Sequence, residues 1–280
     1  TMKIGLIGAG RLGICFSLLC EKAGYDVLVS DIREDYVAAL QNKTIKTNEP
    51  LVSELLQTSE NFEATTDNQR VLEECDIIYT LVATPSLPSG DYDVSAVWKV
   101  VNDIITSGVK NKPFIVGCTT NPGDCEKFQE ELNDIGWEVF YNPEFIAQGS
   151  IVRDLQNADM VLVGGAEGET YNELRRLYKS IQVTDPKISI MSTTAAEIVK
   201  LAMNCYLTTK ISYANMVGEV MTLAGLGSEI KTVLTAIGND TRVGRKYLNY
   251  GYGFGGPCLP RDNRAFAAFA AQQGLEYNLG

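Results

Sequence analysis

The sequence contains no histidine. Imidazole is therefore excluded as acid, base or metal ligand, and a zinc site would have to be assembled from scattered cysteines and carboxylates. No metal site is expected. The seven cysteines, at 15, 20, 75, 118, 125, 205 and 258, form no CxxC pair and no even disulfide framework, which fits free thiols in a reducing, cytoplasmic compartment. Basic residues are in deficit, 24 Lys and Arg against 35 Asp and Glu for a net charge of −11, with no basic stripe, so no nucleic-acid partner is expected. No apolar run approaches the ~20 residues of a membrane span and the N-terminus lacks a signal-peptide pattern, so no membrane partner is expected either. What is present is 45% hydrophobic and 21% charged residues in a 280-residue chain. That is enough core-forming material for one large domain or two ordinary ones.

The first part of the chain alternates short apolar runs with amphipathic stretches. Strands are expected at Lys3–Ile7, Asp26–Ser30, 62–65, 76–82, 113–117 and 137–141, with helices to Ala23 and near 34–41, 67–74, 94–108 and 123–134. Buried strands separated by helices indicate a parallel sheet covered on both faces, a Rossmann-type doubly wound α/β fold. Ala83–Asp93 (ATPSLPSGDYD) is too rich in breakers for either element and follows a strand, on the edge where ligands bind such sheets. A further strand at 160–164, a helix near 170–180 and a short strand at 188–191 complete an expected cofactor domain, 1–191. Residues 192–280 read as an all-helical central domain. Its proline-free stretch from Thr193 to Leu223 carries Ile198, Leu201, Ala202, Cys205 and Tyr206 at helical spacing. A helix of that length spans about 45 Å, more than a small domain covers, so a homodimer through 193–223 is expected. Ser228 is expected to cap a second helix to about 237, and Asp262–Gln273 to form the last.

Gly8-Ala9-Gly10-Arg11-Leu12-Gly13 is a GxGxxG placed directly after a strand and opening a helix. The first glycine permits the turn, the second lets the backbone approach a pyrophosphate, and the third allows close helix–strand packing. The helix N-terminus adds free N–H groups for phosphate. Alone the motif is weak, but Asp31 follows the second strand, where a carboxylate accepts from adenosine ribose hydroxyls. The plainer alternative is a strand–turn–helix with glycines for packing only. Asp31 favours NAD over NADP because it repels a 2′-phosphate; Arg33 nearby works against that preference.

Four further segments carry unusual residues. Cys118–Gly123 (CTTNPG) follows the fifth strand and Asn142–Phe145 (NPEF) the sixth, both at the carboxyl edge of the sheet. Lys200 and Asn204 are four apart on the long helix and share a face. Cys258 lies between prolines after a glycine-rich loop and before a helix, with Arg261 close by, a setting that favours thiolate. Each has a bland counterpart: Thr119 a turn cap, Glu144 a solvated loop acid, Lys200 and Asn204 an exposed helix face, Cys258 an inert thiol.

Together these segments resemble the UDP-glucose/GDP-mannose dehydrogenase family. The resemblance runs over nearly the whole chain and is most specific at NPEFIAQGSIVRDLQNADMVLVGG (142–165), AEIVKLAMNCYLTTKISYANMVGE (196–219) and DTRVGRKYLNYGYGFGGPCLPRD (240–262). It implies oxidation of the C6 alcohol of a nucleotide sugar to the carboxylate, with two hydride transfers to two NAD⁺. By the same resemblance Cys258 is the nucleophile that forms a thiohemiacetal and then a thioester, and Lys200 stabilises the oxyanion beside Asn204. Asp262 and Thr119 position a water for which Glu144 is the general base. The cofactor contacts implied are Gly8, Gly10, Arg11, Leu12, Gly13, Asp31, Arg33, Thr84, Thr119, Glu144 and Arg261. The sugar contacts are Glu144, Phe145, Ile146, Lys200, Asn204, Tyr247, Asn249 and Gly255, with Arg242 matching an arginine that reaches the partner subunit's sugar nucleotide.

Three departures stand out. Family members usually carry a further α/β domain beyond the point corresponding to Gly280, so either a truncated chain or a short form is expected. Gln148 replaces a family acid, and Arg261 replaces the lysine usual beside Asp262, a change of geometry more than charge. The competing readings are a β-hydroxyacid-type dehydrogenase of a smaller alcohol, which shares a Lys-x-x-x-Asn helix but needs no cysteine, and a non-catalytic NAD-binding module.

Overall fold

The computed structural model describes residues 2–146, 150–251 and 258–276, with the side chain of Cys258 outside that description. The chain runs β1 (Lys3–Ile7), α1 (Arg11–Lys22), β2 (Asp26–Ser30), α2 (Glu34–Gln41), α3 (Val52–Thr58), β3 (Phe62–Thr65), α4 (Asn68–Glu74), β4 (Ile77–Thr80), α5 (Ser95–Ser107), β5 (Pro113–Val116), α6 (Asp124–Leu132), β6 (Glu138–Tyr141), α7 (Ile151–Gln156), β7 (Met160–Gly164), α8 (Glu169–Ile181), β8 (Lys187–Met191), α9 (Thr193–Leu223), α10 (Ile230–Gly238) and α11 (Cys258–Gln272). It divides into two compact units, residues 1–85 with 92–197, and residues 86–91 with 198–280.

The first unit is an eight-stranded sheet in the order β3-β2-β1-β4-β5-β6-β7-β8. Its central strands read IGLI, VLVS, IIYT and FIV and are buried along nearly their whole length, as strands covered on both faces must be. The helices cover them with apolar stripes at i, i+3, i+4, i+7: Val97, Val100, Val101 and Ile104 on α5, Leu174, Leu177, Tyr178 and Ile181 on α8. Parallel pairing is in step across the centre, with Ile7 beside Thr80, Thr80 beside Val116 and Val116 beside Tyr141. The turns after β1, β4, β5 and β6 therefore leave from one edge.

The parallel sheet expected from the sequence has one exception. β7 joins β6 antiparallel through the single pair Tyr141–Gly164, and β8 then pairs parallel with β7. The connection from β6 to β7, residues 142–159, holds the six-residue α7 and brings the chain back antiparallel. Both α7 and the seven-residue α3 lie where no helix was expected, because neither spans enough turns to show a 3.6-residue period. α3 follows Leu51, a non-glycine residue at φ 72.

The second unit packs Ala214 of α9 on Ile230, Leu234 and Leu248, with Val217, Met221 and Ile237 around them. Two expectations are corrected here. Ser228 caps nothing; it sits in a single 3₁₀ turn, Gly227–Glu229, and α10 begins after it with no side-chain cap. The last helix starts at Cys258, one turn before Asp262. Of the apolar residues spaced along α9, Leu201 and Cys205 are buried but Tyr206 is 60% exposed. Among the described residues no helix is long and apolar enough to cross a membrane.

The β1–α1 joint packs backbone against backbone. A Cβ on Gly13 would collide with the Gly8 carbonyl oxygen and stand 3.2 Å from Leu6 Cδ2. Replacing Gly13 by Ala forces backbone apart from backbone, and overpacking of this kind costs about 1–3 kcal/mol. G13A should lower the thermal midpoint by several degrees in a calorimetric scan.

Candidate active-site residues

Gly8 holds φ 100, and a Cβ there would lie 3.0 Å from the Val82 backbone nitrogen. Gly8 and Gly13 are thus required by the protein's own packing. Gly10 is different: a Cβ on it would meet nothing within 4 Å, and its backbone dihedrals (φ −68, ψ −172) suit any residue. The space beside Gly10, at the exposed N-terminus of α1, is what a pyrophosphate needs. Behind it the Asp31 carboxylate accepts from the Ala9 N–H at 3.3 Å and from Arg33 through Nε at 2.8 Å and Nη2 at 3.1 Å. Burial raises the affinity of Asp31 for a proton, but the Arg33 hydrogen bonds and charge and the Ala9 N–H outweigh it and hold the carboxyl below its usual range. Arg33 also lies over the Tyr36 ring, 4.0 Å from its centroid. The Arg33 cation that would attract a 2′-phosphate is therefore partly neutralised by Asp31. The residues present fit NAD.

The flanking candidates in this unit fall into place around the same edge. Arg11 opens α1, exposed, and pairs with the buried Glu49; Leu12 packs on the core; Thr84 is buried after β4. Glu144, Phe145 and Ile146 are half-buried beyond β6. Glu144 accepts from the Tyr178 hydroxyl at 3.4 Å. Asn142 anchors the same segment, accepting from Tyr178 and, at 3.3 Å, from Tyr79, and donating to the Leu162 carbonyl at 2.9 Å. Thr119 is half-buried in the turn after β5, next to the fully buried Thr120. The thiols here are held protonated: burial raises Cys118 to about 12 and pushes Cys125 well up as well.

In the second unit Lys200 is 7% exposed, an uncommon place for a lysine. Its Nζ lies 3.1 Å from Asp262 Oδ2, and the Asn204 amide donates to the same oxygen. Asp262, on the first turns of α11, is itself 1% exposed. Three residues far apart in sequence thus form one buried polar cluster. Arg261 sits half-buried beside it in the chain. Arg242, with an 87% exposed side chain, folds back on Asp240, and Tyr247 and Asn249 flank the buried Leu248. The Cys258 side chain, Gly255 and Gln148 lie outside the described residues.

One buried acid was not anticipated. Glu197, fully buried in the first turns of α9, accepts from Thr120 Oγ1, from the Gly123 N–H at 3.0 Å and from the Cys125 N–H at 3.3 Å. The signal was present: Glu197 lies four residues before Leu201 and eight before Cys205, on the face of α9 that is buried.

Comparison with known proteins accords with this geometry. Residues 2–182 match the UDP-glucose/GDP-mannose dehydrogenase family's NAD binding domain, and residues 194–279 its central domain. The chain is 29% identical to a putative UDP-glucose 6-dehydrogenase of Bacillus subtilis, covering 97% of this chain and 64% of that one. It is 30% identical to a UDP-glucose 6-dehydrogenase of Haloferax volcanii, covering 99% and 67%. Among solved structures, a UDP-glucose dehydrogenase of Pyrobaculum islandicum superimposes with a TM-score of 0.89 at 28% identity, over 99% of this chain and 66% of that one. The chain thus spans under two thirds of the Bacillus relative it matches.

Two substitutions separate packing from chemistry. G10A should leave the thermal midpoint unchanged yet weaken NAD⁺ binding at least tenfold in a calorimetric titration, about 1.4 kcal/mol or more. D262A removes the carboxylate that faces the buried Lys200 ammonium and should cost about 3–5 kcal/mol in a denaturant melt, as broken buried ion pairs do.

Proposed function

Because the chain belongs to the UDP-glucose/GDP-mannose dehydrogenase family, we propose that it oxidises the C6 alcohol of a nucleotide sugar of the UDP-glucose type to the carboxylate. The observation that carries this reading is the Lys200–Asp262–Asn204 cluster: a buried cation, held in place by a carboxylate and a neighbouring amide, is what an oxyanion needs for stabilisation. NAD⁺ bound along Gly8–Gly13 supplies the hydride acceptor for both oxidations. In sum, one alcohol, two NAD⁺ and one water give one carboxylate, two NADH and three protons.

The chain's own residues divide the remaining work. The Cys258 thiolate adds to the carbonyl carbon of the aldehyde, and the adduct, once oxidised, is a thioester. Lys200 and Asn204 face the negative oxygen that develops at each stage. Water attacks the thioester, Glu144 takes its proton, and the thiolate leaves. Tyr178 and Asn142 hold the Glu144 segment in position for this. Thr119 and Asp262 orient the water. Arg11, Leu12, Asp31, Arg33, Thr84 and Arg261 complete the cofactor contacts, while Phe145, Ile146, Arg242, Tyr247, Asn249 and Gly255 line the sugar.

We also propose a homodimer through α9. Tyr206, Tyr213 and Val220 recur every seven residues, and so do Met216 and Leu223; all five are 43–89% exposed. Such a stripe on one helix face suits a matching stripe on a second copy. A cytoplasmic enzyme is consistent with the buried free thiols.

Enzyme supplied with UDP-glucose and excess NAD⁺ should release two NADH per sugar oxidised, followed at 340 nm against uronate formed. A single NADH with aldehyde as product points instead to a dehydrogenase of the β-hydroxyacid type. C258S should abolish turnover under the proposed mechanism and leave near-normal rates under the alternative.

A further inference from the structure

Glu197 has no role in the chemistry above, yet it is the most thoroughly buried acid in the described chain, 0% exposed. Its two oxygens gather three donors, and all three come from one turn. Oε2 takes the Thr120 hydroxyl and the Cys125 N–H; Oε1 takes the Gly123 N–H. Gly123 and Cys125 flank the first residue of α6, so the carboxylate also closes that helix's amino end. The same turn is braced on its other side by Asn121, whose side chain accepts from the Tyr92 N–H at 2.7 Å and donates to the Tyr92 carbonyl at 2.9 Å. Thr119 stands immediately before both clasps in the chain.

We propose that Glu197 is a positioning residue, the carboxylate that holds the Thr119–Cys125 turn in the shape it presents to the cofactor at the sheet's carboxyl edge. This rests on the reading given above, in which that edge binds NAD. The Thr120 hydroxyl and the Gly123 N–H are committed to Glu197, and Thr119 is the residue directly before that anchored stretch.

The charged groups around Glu197 make its grip sensitive to pH. Burial raises its pKa, the three donors lower it, the adjacent Asp124 raises it again, and the outcome is about 7. From α6 it is faced by Asp124 and Cys125, from the turn after β5 by Cys118, and from β6 by the buried Tyr141 phenol. Glu126 is engaged with Thr194 at the start of α9, and on its own helix Lys200 is paired with Asp262. Above neutrality Glu197 accepts all three bonds with its full charge; once protonated, its O–H has only the Thr120 hydroxyl to donate to, so that bond reverses and the two N–H bonds lose their charged acceptor.

The test uses NAD⁺ binding by calorimetry between about pH 6 and pH 8.5. The wild type should bind about fivefold more weakly at the acid end, the worth of the charge assistance removed from the bonds to the turn, roughly 1 kcal/mol, with a single inflection near 7. E197Q should bind weakly and lack the inflection. Thermal melts of the same samples run the other way. The folded pKa is raised, so Glu197 stabilises below about 4.5 and that contribution is lost as pH rises through about 7; the wild type's midpoint relative to E197Q should fall over that range. A merely structural acid would move the melts and not the affinity. Should E197Q fail to fold, T120V removes one donor to the charged form and should shift the inflection to higher pH. A binding profile for either variant that coincides with the wild type's overturns the proposal. Failure to oxidise any nucleotide sugar defeats the enzymatic reading instead and leaves the affinity measurement intact.

Discussion

Four parallel strands ending in step are the constraint on which the rest of the first unit depends. Because Ile7, Thr80, Val116 and Tyr141 are aligned across β1, β4, β5 and β6, whatever chemistry follows each strand is delivered to one edge. The glycine turn, the Thr84 segment, the Thr119 turn and the Glu144 segment share nothing in sequence. They share an address. Three of them are then fixed by their own local means: Gly8 and Gly13 by contact between backbones, the Thr119 turn by Glu197 and Asn121, and the Glu144 segment by Asn142 between two tyrosines.

The second unit solves a different problem. An ammonium and a carboxylate that are both nearly free of solvent must satisfy one another, and Lys200, Asn204 and Asp262 do so with two residues from one helix and one from another. Isolated buried ion pairs add little net stability over apolar packing, since desolvation offsets most of the attraction.

Much of the fold was legible because its signals are local. β1, β2 and α9 lie where runs and periodicity put them, since a buried parallel strand is a short apolar block and a long helix shows its period many times over. α3 and α7 were not legible: six or seven residues give less than two turns, and their positions are set by what they pack against. The antiparallel seam at β6–β7 depends on which way the chain returns, which no run of residues encodes. At the site, the glycine motif and Asp31 announce themselves by spacing. The spacing of Glu197 on α9 shows only that it shares the buried face with Leu201 and Cys205; its meaning lies in three donors more than seventy positions away.

The seam between β6 and β7 has a last consequence. Elsewhere in the sheet neighbouring strands are joined by ladders of three to five residue pairs, but here only one rung connects them. The Asn142 amide spans the gap to the Leu162 carbonyl, and its oxygen receives Tyr178 from the helix behind. The join between the six-stranded and two-stranded portions is therefore riveted by a side chain where backbone would ordinarily serve. A single amide at position 142 thus ties sheet continuity to the placement of Glu144, two residues further on.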